Sequence, residues 1–125
     1  MFVLVFIASI MASGIAPMTA NAASHNIVSY GATANDSSDD TSAIQSAINA
    51  AAVGDTVYVP NGIFNVSGII TVKSGIKIEG QSQTGAVLKF TGSSPIQQLL
   101  TLNHTSNVEL TRFTIDGNSN DNLHN

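Results

Sequence analysis

The spacing of hydrophobic residues changes once along the chain, at Gly54. Before this glycine, apolar residues recur at intervals of three and four, which is the spacing of one face of an α-helix. The residues with this spacing are Ile44, Ala47, Ile48 and Ala51. After the glycine, apolar and polar residues alternate in short runs, a pattern typical of half-buried strands. The sequence therefore predicts one amphipathic helix, over about residues 40–52, followed only by strands.

Both ends of the predicted helix carry residues that can cap a helix. Asp39, Asp40 and Thr41 offer side-chain oxygens to the unpaired N–H groups of the first turn, and the two carboxylates complement the positive end of the helix dipole. Gly54 can adopt the left-handed conformation that ends a helix. We therefore expect these residues to cap a helix that buries Ile44 and Ile48 on its apolar face.

The strands predicted from the alternation are short and are separated by turns rich in Gly, Asn and Pro. One precedes the helix, at residues 27–30. The others are residues 56–59, 64–66, 69–72, 76–78, 87–90, 99–102, 108–110 and 113–115. Many short strands with no intervening helix form either a sandwich or a solenoid.

Internal similarity favours the solenoid. Residues 74–79 and 106–111 share the same order of small, apolar and polar residue types, at an offset of 32 residues. A sandwich would instead show hairpin dipeptides between strands of similar length. We therefore predict an all-β solenoid, the opening coils of a parallel β-helix, in which strands stack at roughly 4.8 Å around an aliphatic core. The amphipathic helix is expected to cap the exposed first coil.

Charge excludes one class of partner. The 125 residues include four Lys and Arg against eight Asp and Glu, for a net charge of −4. No basic face is available to displace counterions from a phosphate backbone, so nucleic acid is not an expected partner. The chain contains no cysteine, and therefore no disulfide stabilises it.

The beginning of the chain resembles an export signal. Residues 2–10 form an apolar run, and Ala20-Asn21-Ala22 fits the pattern of small residues before a secretory cleavage site. The run is shorter than the roughly 20 apolar residues that span a membrane, so stable membrane insertion is not expected. We predict a signal peptide over residues 1–22 and secretion of residues 23–125; a buried N-terminal helix is the alternative.

Four short motifs follow one another in an order that resembles the N-terminal module of the pectate-lyase-like superfamily. They are Tyr30-Gly31-Ala32, Asp39-Asp40-Thr41, Val59-Pro60-Asn61-Gly62 and Ile115-Asp116-Gly117-Asn118. The resemblance implies a right-handed parallel β-helix and a polysaccharide substrate. This superfamily includes polygalacturonases, polysaccharide lyases, epimerases and phage tailspikes.

The resemblance also implies that catalytic residues lie on later coils. The carboxylate pair, Gly-His-Gly and Arg-x-Lys segments of polygalacturonases have no counterpart in this sequence, nor do the acidic calcium ligands of the lyases. The expectation is an N-terminal fragment, itself inactive, of a secreted lyase or glycoside hydrolase acting on a pectin-like uronate polymer. Calcium is implied as a cofactor only for a lyase. The alternative is a non-catalytic surface or adhesion protein; the export signal argues against a phage tailspike.

A few residues are candidates for chemistry. Asp116, Asp121 and His124 are the one place where acids and a titratable base lie close together in sequence, although a turn beside Gly117 is the simpler explanation of Asp116. Lys77 and Arg112 are predicted to face outwards, where they would contact the carboxylates of a uronate polymer or simply keep a sheet edge soluble. Asp36, Asp39 and Asp40 offer oxygen ligands for a cation, but helix capping explains them with fewer assumptions.

Overall fold

The computed structural model describes residues 22–93 and 99–117. Helix α1 (Thr41–Ala50) follows a 3₁₀ helix (Ile27–Tyr30). The strands of the described residues are β1 (Ser24–Asn26), β2 (Thr56–Val59), β3 (Gly62–Val66), β4 (Ile70–Thr71), β5 (Lys77–Gly80), β6 (Ala86–Phe90), β7 (Leu100–Thr101), β8 (Glu109–Thr111) and β9 (Thr114–Asp116). Except for Ala22, the predicted signal peptide lies outside the described residues.

The strands form three sheets in which all neighbours run parallel. The first sheet has the order β1-β2-β5-β8, the second β3-β6-β9 and the third β4-β7. Strands that follow one another after the helix belong to different sheets. Each strand from β2 to β6 pairs with the strand three places later in the chain. This pairing excludes a hairpin sandwich for the described residues and places equivalent strands side by side.

The 32-residue repeat is confirmed by the strand register. Lys77 pairs with Glu109, and the pairing continues through Ile78 with Leu110. The turn before these strands follows the same register, because the Gly75 N–H donates to the Ser106 carbonyl at 3.0 Å. The similarity between the two segments therefore reflects equivalent positions in successive coils.

One apolar core joins the helix to all three sheets. Strand β6 alternates buried and partly exposed residues along its length, as the pattern predicted. Phe64 is the largest of the fully buried side chains, and Ile44 and Ile48 of helix α1 are 1% and 0% exposed. The predicted apolar stripe of the helix is thus buried in the same core as the strands.

The outer edge of strand β3, which has no strand beside it, is hydrogen-bonded by the loop before the helix. Asn35 donates its N–H to the Ile63 carbonyl at 2.8 Å and accepts the Ile63 N–H on Oδ1 at 3.0 Å. Asp40 makes the same two hydrogen bonds to Asn65. Its N–H donates to the Asn65 carbonyl at 2.7 Å, and its Oδ2 accepts the Asn65 N–H at 2.9 Å. Each residue therefore imitates the donor and acceptor of a neighbouring strand.

The edge of strand β4 is satisfied by one side chain of helix α1. The Gln45 amide donates from Nε2 to the Thr71 carbonyl at 3.0 Å and accepts the Thr71 N–H on Oε1 at 2.9 Å. In the first sheet, strand β1 covers the edge of β2. All three sheets therefore have a hydrogen-bonded edge at this end, where an open edge would otherwise invite association.

Three local predictions are wrong. Residues 27–30 form a 3₁₀ helix and not a strand, because Asn26 Oδ1 accepts the Val28 N–H at its start and Gly31 closes it with φ 108°. The strand of this region is β1, the polar segment that precedes the 3₁₀ helix. Asp40 makes no side-chain hydrogen bond to the helix, since its carboxylate binds the N–H groups of Thr33 and Asn65.

The third correction concerns the end of the helix. Helix α1 ends at Ala50, and Ala51 is already extended, with φ −69° and ψ 136°. Gly54 does adopt a left-handed φ of 95°, but in the following loop, where its N–H donates to the Gly75 carbonyl at 2.7 Å. The glycine therefore shapes the loop and does not end the helix. The remaining strands begin and end within two residues of their predicted bounds.

Replacing Gly80 should strongly destabilise the stack of coils. A Cβ at Gly80 would lie 2.1 Å from the backbone oxygen of Arg112 in the next coil. We expect Gly80→Ala to lower the free energy of unfolding by about 2 kcal/mol, a typical cost of overpacking. Denaturant unfolding measures this.

The matched control is Gly117→Ala, because a Cβ there meets no atom within 4 Å. It should change the free energy of unfolding by no more than about 0.5 kcal/mol. Equal stability of the two variants would contradict the close stacking of Gly80 on Arg112.

Candidate functional site

The outer face of the first sheet carries a charged cluster made of Lys77, Glu79, Glu109 and Arg112. Lys77 Nζ lies 3.3 Å from Glu79 Oε1 and 3.9 Å from Glu109 Oε1. The other oxygen of Glu79 lies 3.6 Å from Arg112 Nη1. Adjacent strands β5 and β8 bring these residues together, because Lys77 and Glu109 are partners in the register.

The two predicted cations therefore face carboxylates of their own chain. Lys77 and Arg112 do lie on the outside, with side chains 37% and 58% exposed, but the cluster contains two cations and two anions. Arg112 also donates from Nη2 to the Gln81 carbonyl at 2.7 Å. Exposed ion pairs of this kind contribute at most about 1 kcal/mol, so a ligand carboxylate would compete with Glu79 for Arg112 at modest cost.

A hollow of about 400 Å³ opens beside Arg112. Its lining combines a guanidinium, an amide and apolar side chains. The lining residues are Gln83, Leu110, Thr111, Arg112, Phe113 and Ile115. Arg112 adopts a left-handed φ of 63°, an uncommon conformation for a long side chain, which directs the backbone from β8 into β9.

The predicted acid–base grouping is described only in part. Asp116 ends strand β9, is exposed, and pairs in register with Lys89 of β6. Asp121 and His124 lie outside the described residues. The grouping of these three residues therefore stays a prediction.

The carboxylates before the helix bind donors of the protein itself. Asp36 accepts the Ser38 N–H at 3.0 Å, and Asp39 accepts the Ser67 N–H at 3.0 Å and the Thr41 hydroxyl at 2.7 Å. The residues described contain no group of three or more His, Cys, Asp or Glu able to hold a metal ion. Because N–H and O–H donors point at these oxygens, the loop does not fit a calcium site.

Burial and hydrogen bonding act in opposite directions on these acids. Burial raises the pKa of Asp40 despite the hydrogen bonds from Thr33 and Asn65, and the charges of its acidic neighbours add to the effect. Burial also raises the pKa of Asp39, but the hydrogen bonds from Thr41 and Ser67 outweigh it, so that the net pKa is lowered. Both acids serve the edge of strand β3.

Sequence reasoning missed a row of three hydrogen-bonded side chains, those of Tyr30, His25 and Asp55. His25 Nε2 lies 2.9 Å from Asp55 Oδ2, and Nδ1 lies 2.8 Å from the Tyr30 hydroxyl. A carboxylate can only accept, so Nε2 donates to Asp55, and in the neutral ring Nδ1 accepts the tyrosine proton. His25 of strand β1 pairs in register with the buried Val57 of strand β2. The sequence pattern did not reveal this pairing, because it predicts the strand at residues 27–30.

Asp55 is the most strongly perturbed acid of the described residues. Its pKa is lowered to about 2, first by the Ala52 N–H, then by the hydrogen bond from His25 and by the Ala23 N–H. The carboxylate thus stays ionised and holds together strand β1, the loop after helix α1 and the beginning of strand β2.

None of the described helices has the length and apolar character needed to cross a membrane.

Comparison with known proteins identifies the family. Residues 24–123 match the family described as rhamnogalacturonase A/epimerase, pectate lyase-like. The pre-neck appendage protein of Bacillus phage B103 is 37% identical over 98 residues, covering 74% of this chain and 11% of the phage protein. Mannuronan C5-epimerase AlgE2 of Azotobacter vinelandii is 36% identical over 108 residues, covering 75% of this chain.

A solved structure agrees with the sequence match. The A-module of mannuronan C-5 epimerase AlgE4 from Azotobacter vinelandii superposes with a TM-score of 0.68 at 33% identity, covering 74% of this chain and 29% of the module. The chain spans 11% of the length of the two relatives matched by sequence. The chain therefore belongs to the rhamnogalacturonase A/epimerase, pectate lyase-like family of β-helix proteins.

Proposed function

We propose that this chain is the N-terminal, edge-closing part of a secreted right-handed parallel β-helix protein that acts on a uronate polysaccharide. Helix α1 and the preceding loop serve as its cap. The described coils provide structure, and the chemistry belongs to other coils of the whole protein. A related epimerase that acts on mannuronan, itself a uronate polymer, supports the substrate class.

The observation that carries this proposal is the closure of the first-coil edges. Asn35, Asp40 and Gln45 each satisfy both the N–H and the carbonyl of one edge residue, while Ile44 and Ile48 cover the core. A preceding coil would need these same edge groups. The end of the sheets next to helix α1 therefore suits the beginning of a stack of coils. Connections between parallel strands of one sheet are almost always right-handed, which supports a right-handed coil.

The non-catalytic alternative has support of its own. A phage appendage protein matches this chain as well as the epimerase does, and the charged cluster pairs Lys77 and Arg112 with Glu79. A surface or adhesion protein would use the same coils for length alone. Both alternatives assign the same role to the described residues.

The full 125-residue chain should leave uronate polymers unchanged. Mannuronan and polygalacturonate are incubated with the chain, and reducing ends, unsaturated uronate and C5 inversion are followed by colorimetry, ultraviolet absorbance and proton NMR. We expect no product above a heat-inactivated sample, while an Azotobacter epimerase A-module inverts mannuronan in parallel. Product formed by the chain would contradict the structural role.

Assays on the complete protein separate the two alternatives. Its reading frame is expressed in full and given the same polymers. Turnover of a uronate polymer supports the enzyme, whereas binding to cell surfaces without turnover supports the adhesion protein.

Removing the Gln45 amide should open the edge of strand β4. We expect Gln45→Ala to lower the free energy of unfolding by about 1 to 2 kcal/mol through loss of the two hydrogen bonds to Thr71, and to increase aggregation on warming. Thermal melting and light scattering measure the two effects. Gln45→Glu keeps the acceptor for the Thr71 N–H but faces the carbonyl with a carboxylate, so it should also destabilise.

Ser46→Ala is the matched control, because Ser46 is an exposed residue of the same helix. It should change stability by no more than about 0.5 kcal/mol. If Gln45→Ala behaved like Ser46→Ala, the side chain would have no capping role.

A further inference from the structure

Both backbone groups of Ala23 are hydrogen-bonded, one to Asp55 and the other to Thr56, the first residue of strand β2. Its N–H donates to Asp55 Oδ1 at 2.9 Å, and its carbonyl accepts the Thr56 N–H at 2.9 Å. Residues at the beginning of a domain are usually loose unless they are tied down in this way. Ala23 is also the residue that directly follows Ala20-Asn21-Ala22, the predicted cleavage pattern.

The Asp55 carboxylate is kept in place by groups other than Ala23. Oδ2 accepts the Ala52 N–H at 2.9 Å and the His25 Nε2 proton at 2.9 Å, and His25 is itself held by Tyr30. The side chains of His25 and Asp55 are only 16% and 12% exposed. Asp55 Oδ1 therefore points at the Ala23 nitrogen whether that nitrogen belongs to a peptide bond or to a free amine.

We propose that signal-peptidase cleavage after Ala22 creates an α-ammonium group on Ala23 that forms an ion pair with Asp55 and locks strand β1 onto the first sheet. Water hydrolyses the Ala22–Ala23 peptide bond: the carbonyl carbon of Ala22 gains the oxygen and becomes a carboxylate, and the Ala23 nitrogen becomes an ammonium. The inference rests on the predicted export signal and is independent of any polysaccharide activity.

The ion pair couples maturation to the closure of the first edge. Before cleavage, Ala23 donates a neutral N–H to the Asp55 carboxylate; afterwards both partners are charged, so Coulomb attraction between opposite charges is added to the hydrogen bond. Strand β1 is the element that covers the edge of β2. Export would therefore produce a more firmly closed coil than the precursor has.

The first experiment examines the amine itself. The full chain is expressed in a secreting host, the exported product is recovered, and its N-terminal residue is determined by mass spectrometry. The pKa of the α-amine follows from the pH dependence of its acylation rate. We expect Ala23 at the N-terminus, with a pKa raised by about one unit or more above the ordinary 7.7–8.0.

Asp55→Asn keeps one acceptor oxygen but removes the charge and the second acceptor, and should return the α-amine pKa to its ordinary value. Asp36→Asn is the control, because the Asp36 carboxylate accepts hydrogen bonds from Ser38 of its own loop. This variant should keep the raised α-amine pKa. A different N-terminal residue, or the same pKa in the native protein and Asp55→Asn, would overturn the proposal.

A second experiment does not require the variant to fold. The exported protein is unfolded in denaturant, where its α-amine has the ordinary pKa and reacts before the lysines at about pH 7, and it is acetylated there and refolded. A sample without acetylation is unfolded and refolded in the same way, and the melting temperatures of both forms are compared from pH 7 to about pH 10. Comparing the two forms at each pH removes the effects of pH that are common to both.

The sign of the effect is set by the raised pKa. The stabilisation by the ammonium is complete below the unfolded pKa of about 8 and is lost as the pH rises through the higher folded value. The free amine should therefore melt several degrees above the acetylated form at pH 7, with the difference vanishing near pH 10. Equal melting temperatures at every pH would overturn the ion pair.

Discussion

The end of a parallel sheet must find partners for a row of backbone N–H and carbonyl groups, and this requirement governs the described structure. Parallel coils satisfy these groups in their interior through the neighbouring coils, but the described residues contain no complete coil before strands β2, β3 and β4. Here β1 covers one sheet, and Asn35, Asp40 and Gln45 cover the other two. Residues before β2 thus serve mainly to complete an edge.

The requirement also explains the chemistry of the polar residues. Asp40 and Asn65 are buried although polar, and the hydrogen bonds between them are those of a strand pair. Asp55 is ionised and shielded because three donors converge on it. Carboxylates that would suggest a metal or an active site in another setting are here engaged by donors of the protein itself. The outer face of the first sheet and the hollow beside Arg112 are exposed features of the described part of the chain.

Features set by local periodicity could be predicted from the sequence. The apolar stripe with Ile44 and Ile48 required only the helical period, and the offset of 32 residues reflected the stacking of β5 on β8. Features that depend on distant partners could not. Nothing near Gln45 shows that it pairs with Thr71, and Asp40 before a helix is indistinguishable from an ordinary N-cap until Asn65 is placed beside it. Strand β1 escaped detection because its residues are polar and its one neighbour is distant in sequence.

Amide hydrogen exchange of the chain tests the edge closure most directly. The informative amides are those of Ile63, Asn65 and Thr71, whose partners are side chains of helix α1 and of the loop before it. The closed edge predicts protection comparable to that of amides in β5 and β6, which lie between two strands. Exchange of these three amides as fast as that of exposed loop residues would show that the first coil is open and would contradict the account.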